Sequence, residues 1–204
     1  IKEAIENNLG GLYNINYGVY NFKDFGVPSS RTRTLVIGVR KNIKDISPYD
    51  LIPNFEKNKT LKETIGNLKK LKNWGEIDEK DIFHFFREYN PYMRYWIEDI
   101  KEGESAFDNK DKTKRPHRIV NGEIIYNQNK NGDKYTRCYW NKVCPCIHTR
   151  NDIFASQSTI HPEEDRVFSI RELMKIMSVP DSFKWSNISL EKLNSISFKE
   201  KKKF

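Results

Sequence analysis

Apolar and polar positions change period several times along this chain. Ile1 to Leu9 reads as the end of an amphipathic helix stopped by Gly10-Gly11, where glycine supplies the positive backbone angle that a helix end favours. Tyr13 to Phe22 alternates imperfectly and is rich in Tyr, Val and Ile, which predicts a strand. Thr34 to Val39 is a continuous apolar run with β-branched residues, the pattern of a strand buried on both faces. A turn at Gly26 to Ser30 separates the two. Helix, strand, turn and strand without a start of their own read as the last part of an α/β sheet whose earlier strands are absent.

Lys41 to Lys59 is polar, carries Pro48 and Pro53, and reads as a linker. Thr60 then caps a helix, with Glu63 at the capping-box position ahead of Ile65 and Leu68. Asp81 to Ile100 predicts a longer helix carrying Ile82, Phe85, Phe86, Trp96 and Ile97, interrupted near Asn90-Pro91. Polar loops follow, with a short strand at Gly122 to Tyr126 and a pair of short strands within Tyr135 to Thr149. Ser169 caps a closing helix with Glu172 as its capping-box partner, Ile170, Leu173, Ile176 and Met177 as its buried stripe, and Pro180 beyond its end. A Lys-rich run from Lys192 to Phe204 is either another helix or a frayed end. The expected organisation is 1–45 as the end of an α/β domain, 46–165 as a smaller α+β lobe, and 166–204 as closing helix and tail.

Composition narrows the function classes. The formal net charge of +8 fits a polyanionic partner, because Lys and Arg that neutralise phosphates release condensed counterions. The Lys-, Asn- and Ile-rich composition would produce the same charge through codon bias, so charge alone decides nothing. No apolar run approaches the roughly 20 residues that span a bilayer, and the first residues do not read as a signal peptide, so a soluble cytoplasmic protein is expected. Cys138, Cys144 and Cys146 are odd in number and clustered, a poor disulfide framework.

Two segments in a fixed order carry a family resemblance. Thr159-Ile160-His161-Pro162-Glu163-Glu164-Asp165-Arg166, running into Ser169-Ile170-Arg171-Glu172-Leu173 and Val179-Pro180-Asp181, resembles the motif that closes the target recognition region of DNA (cytosine-5) methyltransferases. Far upstream, Gly26-Val27-Pro28-Ser29-Ser30-Arg31-Thr32-Arg33 resembles the family's Gly-Val-Pro-Gln-x-Arg-x-Arg segment, with Ser29 in place of Gln. Between them, Thr64-Ile65-Gly66-Asn67-Leu68 and Gly103-Glu104-Ser105 resemble a subset of these enzymes.

The resemblance implies the last strands of a Rossmann-like methyltransferase sheet followed by a target recognition lobe. It implies double-stranded DNA as partner, S-adenosylmethionine as cofactor of the complete enzyme, and association with the nucleoid when on DNA. It implies that Arg33 helps to hold the flipped cytosine and that Arg31 braces the catalytic pocket; without it both read as solvated arginines flanking a strand. Within the lobe, Arg137, Lys142, Arg150, Asn151 and Gln157 are candidate DNA contacts, because Arg reads guanine bidentately, Asn and Gln read adenine, and Lys positions phosphates. Arg166 is structural first and a phosphate contact second. Arg171 and Glu172 are explained by the helix and its cap, and His84 and Trp96 by packing.

Cys146 follows a proline, as the family's nucleophile does, but it lies far downstream of Gly26 and no Glu-Asn-Val occurs in the chain. A zinc site from Cys138, Cys144, Cys146 and His148 lacks the paired Cys spacing of structural zinc. The glycine-rich methyl-donor loop has no match, so donor site and nucleophile are expected on a missing N-terminal segment, either cut away or a separate chain. A stand-alone sequence-specific DNA-binding module is the alternative.

Overall fold

The computed structural model describes the chain apart from residues 87, 129–131, 185–186, 198–199 and 201–204, so the end of the Lys-rich run lies outside the described residues. Helix α1 (Lys2–Leu9) ends at Gly10, whose φ of −61° is right-handed, so the expected positive angle is not used there, and none of its residues is buried. Strands β1 (Tyr13–Asn21) and β2 (Thr32–Arg40) pair antiparallel in one unbroken register, from Tyr13 opposite Arg40 to Asn21 opposite Thr32. The expectation that β2 is buried on both faces fails within this chain. Only its Val39 is buried, while Val36, like Val19 of β1, is exposed, because among the described residues no further strand flanks the two-stranded ribbon.

Helix α2 (Leu61–Ile65) starts where its residues direct it: Thr60 Oγ1 accepts from the Glu63 amide at 3.2 Å and Glu63 accepts from the Thr60 amide at 2.8 Å. The expected helix over Asp81 to Ile100 is replaced by three elements. Strand β4 (Asp81–Phe85) pairs antiparallel with β3 (Ile77–Asp78), a 3-10 turn covers Pro91–Met93, and α3 spans only Arg94–Ile97. The reason is a second periodicity in the same residues. Ile82, His84 and Phe86 alternate into the core at period two, and Pro91 restarts the backbone as a first-turn residue.

Strands β5 (His117–Val120) and β6 (Glu123–Tyr126) form a hairpin around Asn121-Gly122, both at positive φ, as a two-residue type I′ loop requires. The short strand expected over Gly122 to Tyr126 is thus found, with a partner not anticipated. The pair of strands expected within Tyr135 to Thr149 reduces to isolated bridges, Ser105 with Thr136, Arg137 with Ile160 and Ser29 with Cys144. Tyr135 sits at φ 51° and Pro145 has no amide hydrogen, so neither end of the stretch can extend a ladder.

Helix α4 (Ile170–Ile176) carries the predicted capping box, with Ser169 Oγ accepting from the Glu172 amide and Glu172 from the Ser169 amide. Its buried face differs from the expected stripe. Arg171, Glu172, Leu173, Met174 and Ile176 are buried, whereas Ile170 and Met177 are exposed, because α4 packs between α2 and β4 and turns its charged pair inward. A last helix, α5 (Leu190–Ser195), lies against β4.

One core cluster gathers around Phe86, Trp96, Ile97, Tyr135, Phe154 and Ile160, and a second around Leu61, Ile65, Cys138, Cys144, Leu173 and Ile176. Trp96 and His84 are core residues as expected, His84 bridging Ser169 Oγ at 2.8 Å and the Lys69 carbonyl at 2.6 Å. All three sheets among the described residues are two-stranded and antiparallel.

Candidate nucleic-acid interface

The loop joining β1 to β2 is held against the lobe. A 3-10 turn over Phe22–Phe25 ends at Gly26, whose φ of 80° suits glycine and whose missing side chain leaves room for the Glu56 carboxylate. Ser29 Oγ donates to the Pro145 carbonyl at 3.2 Å, and the Ser30 amide donates to the Cys144 carbonyl at 2.8 Å. The buried Ser29, which stands in place of the motif's Gln, therefore fastens this loop to a segment more than a hundred residues later. Arg31 follows, half-buried, with its carbonyl accepting from the Phe22 amide. Arg33 is exposed on β2 opposite Tyr20, and its guanidinium reaches only the adjacent Thr32 carbonyl.

The predicted DNA contacts divide by burial. Arg137 is 4% exposed and is saturated by protein: it donates to the carbonyls of Ile97, Ile100, His161 and Glu164 and to the Asp165 carboxylate at 2.7 Å. Arg166 is 1% exposed and forks two carboxylates, Glu164 and Glu172. Neither guanidinium has a donor left for a base or a phosphate, so both assignments as DNA contacts are corrected to structural ones. Lys142, Arg150, Asn151 and Gln157 stay accessible. Lys142 is exposed with its ammonium 3.6 Å from the Tyr139 ring centroid.

Arg150 and Gln157 come together with Asp133, Lys134 and His148 around an open cleft of about 340 Å³. Asn151 shapes its rim by donating from Nδ2 to the His148 carbonyl at 2.8 Å. Sequence reasoning missed Lys134, His148 and Asp133 as members of this group. The buried Oδ1 of Asp133 has no hydrogen-bond partner, and nothing in the sequence marks these residues out, since the loop path alone assembles them.

Two of the three cysteines are buried in the core. Burial pushes the Cys138 thiol up to about 12 and that of Cys144 well above its ordinary value, and Cys138 donates to the Ser158 carbonyl. Cys146 is half-buried and contacts only the Ile147 carbonyl. Among the described residues, the one cluster with ligand spacing for a metal ion is His161, Glu164 and Glu172. Arg166 already neutralises both of its carboxylates, so the cation of that cluster is the guanidinium.

The Type II methyltransferase M1.HgaI of Avibacterium volantium is 28% identical over 192 residues, covering 90% of this chain and 50% of that protein. The Type II methylase M.HgiDII of Herpetosiphon aurantiacus is 24% identical over 185 residues, covering 91% and 50%. In fold, the chain is similar to the crystal structure of a putative DNA modification methyltransferase encoded within a prophage (E. coli), with a TM-score of 0.59 at 18% identity over 90% of this chain and 55% of that one. The chain spans about half the length of the curated relatives it matches. The profile of the C-5 cytosine-specific DNA methylases matches residues 2–196. With that match running through both the Gly26 to Arg33 loop and the His161 to Glu172 network, the chain belongs to the C-5 cytosine-specific DNA methylase family.

Proposed function

We propose that this chain is the DNA-recognising, C-terminal portion of a DNA (cytosine-5) methyltransferase of a type II restriction-modification system. The observation that carries this reading is the cleft with Lys134, His148, Arg150 and Gln157 at its edge, on loops flanked by the buried Arg137, whose guanidinium holds the carbonyls of Ile97 and His161. Rigid supports with exposed bidentate groups are what direct base readout needs. In this reading 46–165 is the target recognition domain, 166–204 closes it, and the β1–β2 ribbon continues a Rossmann-like sheet. No helix among the described residues is long and apolar enough to cross a membrane. As a DNA-modifying enzyme in this reading, the protein works in the cytoplasm, associated with the nucleoid while it is on DNA.

The family implies S-adenosylmethionine, but the described residues do not fit it. Their positive-φ glycines, Gly26, Gly75, Gly103, Gly122 and Gly132, sit in separate turns, and no parallel strand runs through a glycine loop into a helix. We assign donor site and nucleophile to the remaining half of the enzyme, and derive no transfer step here. Arg33 and Arg31 are assigned to the seam with that half, Arg33 toward the extruded cytosine and Arg31 behind it.

Selection from a randomised duplex library at low and moderate salt tests the recognition role: a short cytosine-containing motif is expected. Retention without a motif, falling steeply with salt, would leave only the +8 charge at work. Arg150→Ala is expected to relax choice at one base pair by about 1–3 kcal/mol. In the full-length enzyme, Arg33→Ala is expected to lower methyl transfer by about 10²-fold or more with an unchanged unfolding midpoint, because the side chain is exposed. Unaltered transfer would remove Arg33 from the site.

A further inference from the structure

A second cleft, of about 510 Å³, opens on the lobe between Tyr92, Tyr95, Trp96, Thr113, His117 and Arg118. Its inner end is a three-walled aromatic slot. The Tyr92 and His117 rings face each other within 30° of parallel at a centroid distance of 6.5 Å. Trp96, 3% exposed, stands crosswise to both, 5.2 Å from Tyr92 at 69° and 5.5 Å from His117 at 57°. A flat ring in van der Waals contact on both faces needs walls about 7 Å apart, so with centroids 6.5 Å apart the Tyr92 and His117 rings must part to admit one.

The surrounding charge selects the kind of ring. Lys114 already occupies the cation position on Tyr95, 4.8 Å from its centroid, while pairing with Glu98 and Asp99. Arg118, exposed at the cleft's edge, adds a further positive charge. Such a slot disfavours a quaternary ammonium ligand and suits a planar heterocycle that carries a phosphate.

We propose that Tyr92, Trp96 and His117 form a stacking slot for the base of an unpaired nucleotide in a DNA strand, with Arg118 toward its phosphate. The slot rests on the reading of this chain as a DNA-binding protein, and is distinct from the cleft at Arg150 and Gln157. Base stacking on aromatic side chains tolerates any base, so the slot adds affinity for distorted DNA without adding sequence choice.

The test is titration of the whole chain with two duplexes of one sequence, one fully paired and one with a single bulged 2-aminopurine. Expected are quenching of the 2-aminopurine emission and about tenfold tighter binding of the bulged duplex. Tyr92→Leu should abolish both differences, whereas Tyr92→Phe, which keeps the ring, should retain them and show that the slot still folds. Equal affinity of the wild-type chain for the two duplexes, or Tyr92→Leu behaving as wild type, overturns the slot. Competition by free 2-aminopurine nucleoside monophosphate as strong as by the bulged duplex overturns its assignment to a DNA strand, and competition by tetramethylammonium overturns the base chemistry. Failure of the underlying DNA reading is separately visible as loss of binding to the fully paired duplex.

Discussion

Replacing Arg166 by alanine is expected to cost about 3–5 kcal/mol of folding stability, read as a lowered urea midpoint. All five guanidinium donors are in use. Nε and Nη2 bind Glu164 at 3.0 Å, Nη1 and Nη2 bind Glu172 at 2.7 Å, and Nη1 also donates to the Val167 carbonyl at 3.0 Å. Burial alone would raise the Glu172 carboxyl, but the hydrogen bonds and charge of Arg166 prevail and hold it below the usual carboxylate range. Without the guanidinium, Glu172 is left as a carboxylate 1% exposed, and it must either stay charged without a cation or take up a proton. Either choice is expensive for a domain whose whole stability is of the order of 5–15 kcal/mol. Arg166→Lys keeps the charge but cannot fork two carboxylates at once, so an intermediate loss is expected. Joint replacement of Arg166 and Glu172 by Met and Leu should recover much of the alanine loss, because it removes the stranded charge with its partner. A single-alanine loss under about 1 kcal/mol would show that the network does not hold the lobe together.

Local chemistry was legible in the sequence; chain path was not. Thr60 with Glu63 and Ser169 with Glu172 could be read as capping boxes because the donor, acceptor and spacing all lie within four residues. The β1–β2 ribbon was legible for a similar reason, since a turn between two β-rich runs fixes an antiparallel register. Asp81 to Ile100 misled because its apolar residues satisfy a helical stripe and a strand alternation together, and tertiary packing of Ile82, His84 and Phe86 selects the strand. The arginines failed differently. Arg137 and Arg150 are the same residue type in the same polar stretch, yet one is enclosed by the carbonyls of α3 and the Glu164-Asp165 turn while the other edges an open cleft. A base-contacting Arg137 would relax base choice when replaced by alanine; its enclosure makes loss of the fold the expected outcome instead. The aromatic slot was equally hidden, because Tyr92, Trp96 and His117 meet only once the Pro91 turn and the β5–β6 hairpin are in place.

His161 should make the same core acid-sensitive well above the range in which carboxylates titrate. Its Nδ1 accepts from the amides of Glu163 and Glu164 at 3.2 and 3.0 Å, which requires that nitrogen to be unprotonated and places the ring hydrogen on Nε2, 3.4 Å from Glu164 and 3.6 Å from Glu172. Trp140 and Phe168 close the remaining sides with ring contacts. Burial is the largest influence and pushes the imidazole down to about 3; Glu172 opposes this, while Arg166 and Arg137 reinforce it. An unfolded histidine takes its proton near 6.5. Because the folded value is depressed, the stability of the neutral buried ring is fully present above pH 6.5 and drains as pH falls toward 3, by roughly 5 kcal/mol in all. Between pH 6.5 and 4.5 the unfolded His161 takes up a proton that the buried ring refuses, which adds a slope approaching ~1.4 kcal/mol per pH unit to the share that carboxylates contribute toward the lower end of this window. His161→Asn keeps an acceptor near the Nδ1 position but cannot titrate. It should lose stability at neutral pH through poorer packing and flatten the slope between 6.5 and 4.5. A variant whose unfolding free energy falls with the wild-type slope across that window would place the acid sensitivity elsewhere, and would mean that the ring is already solvated enough to hold its proton in the folded chain.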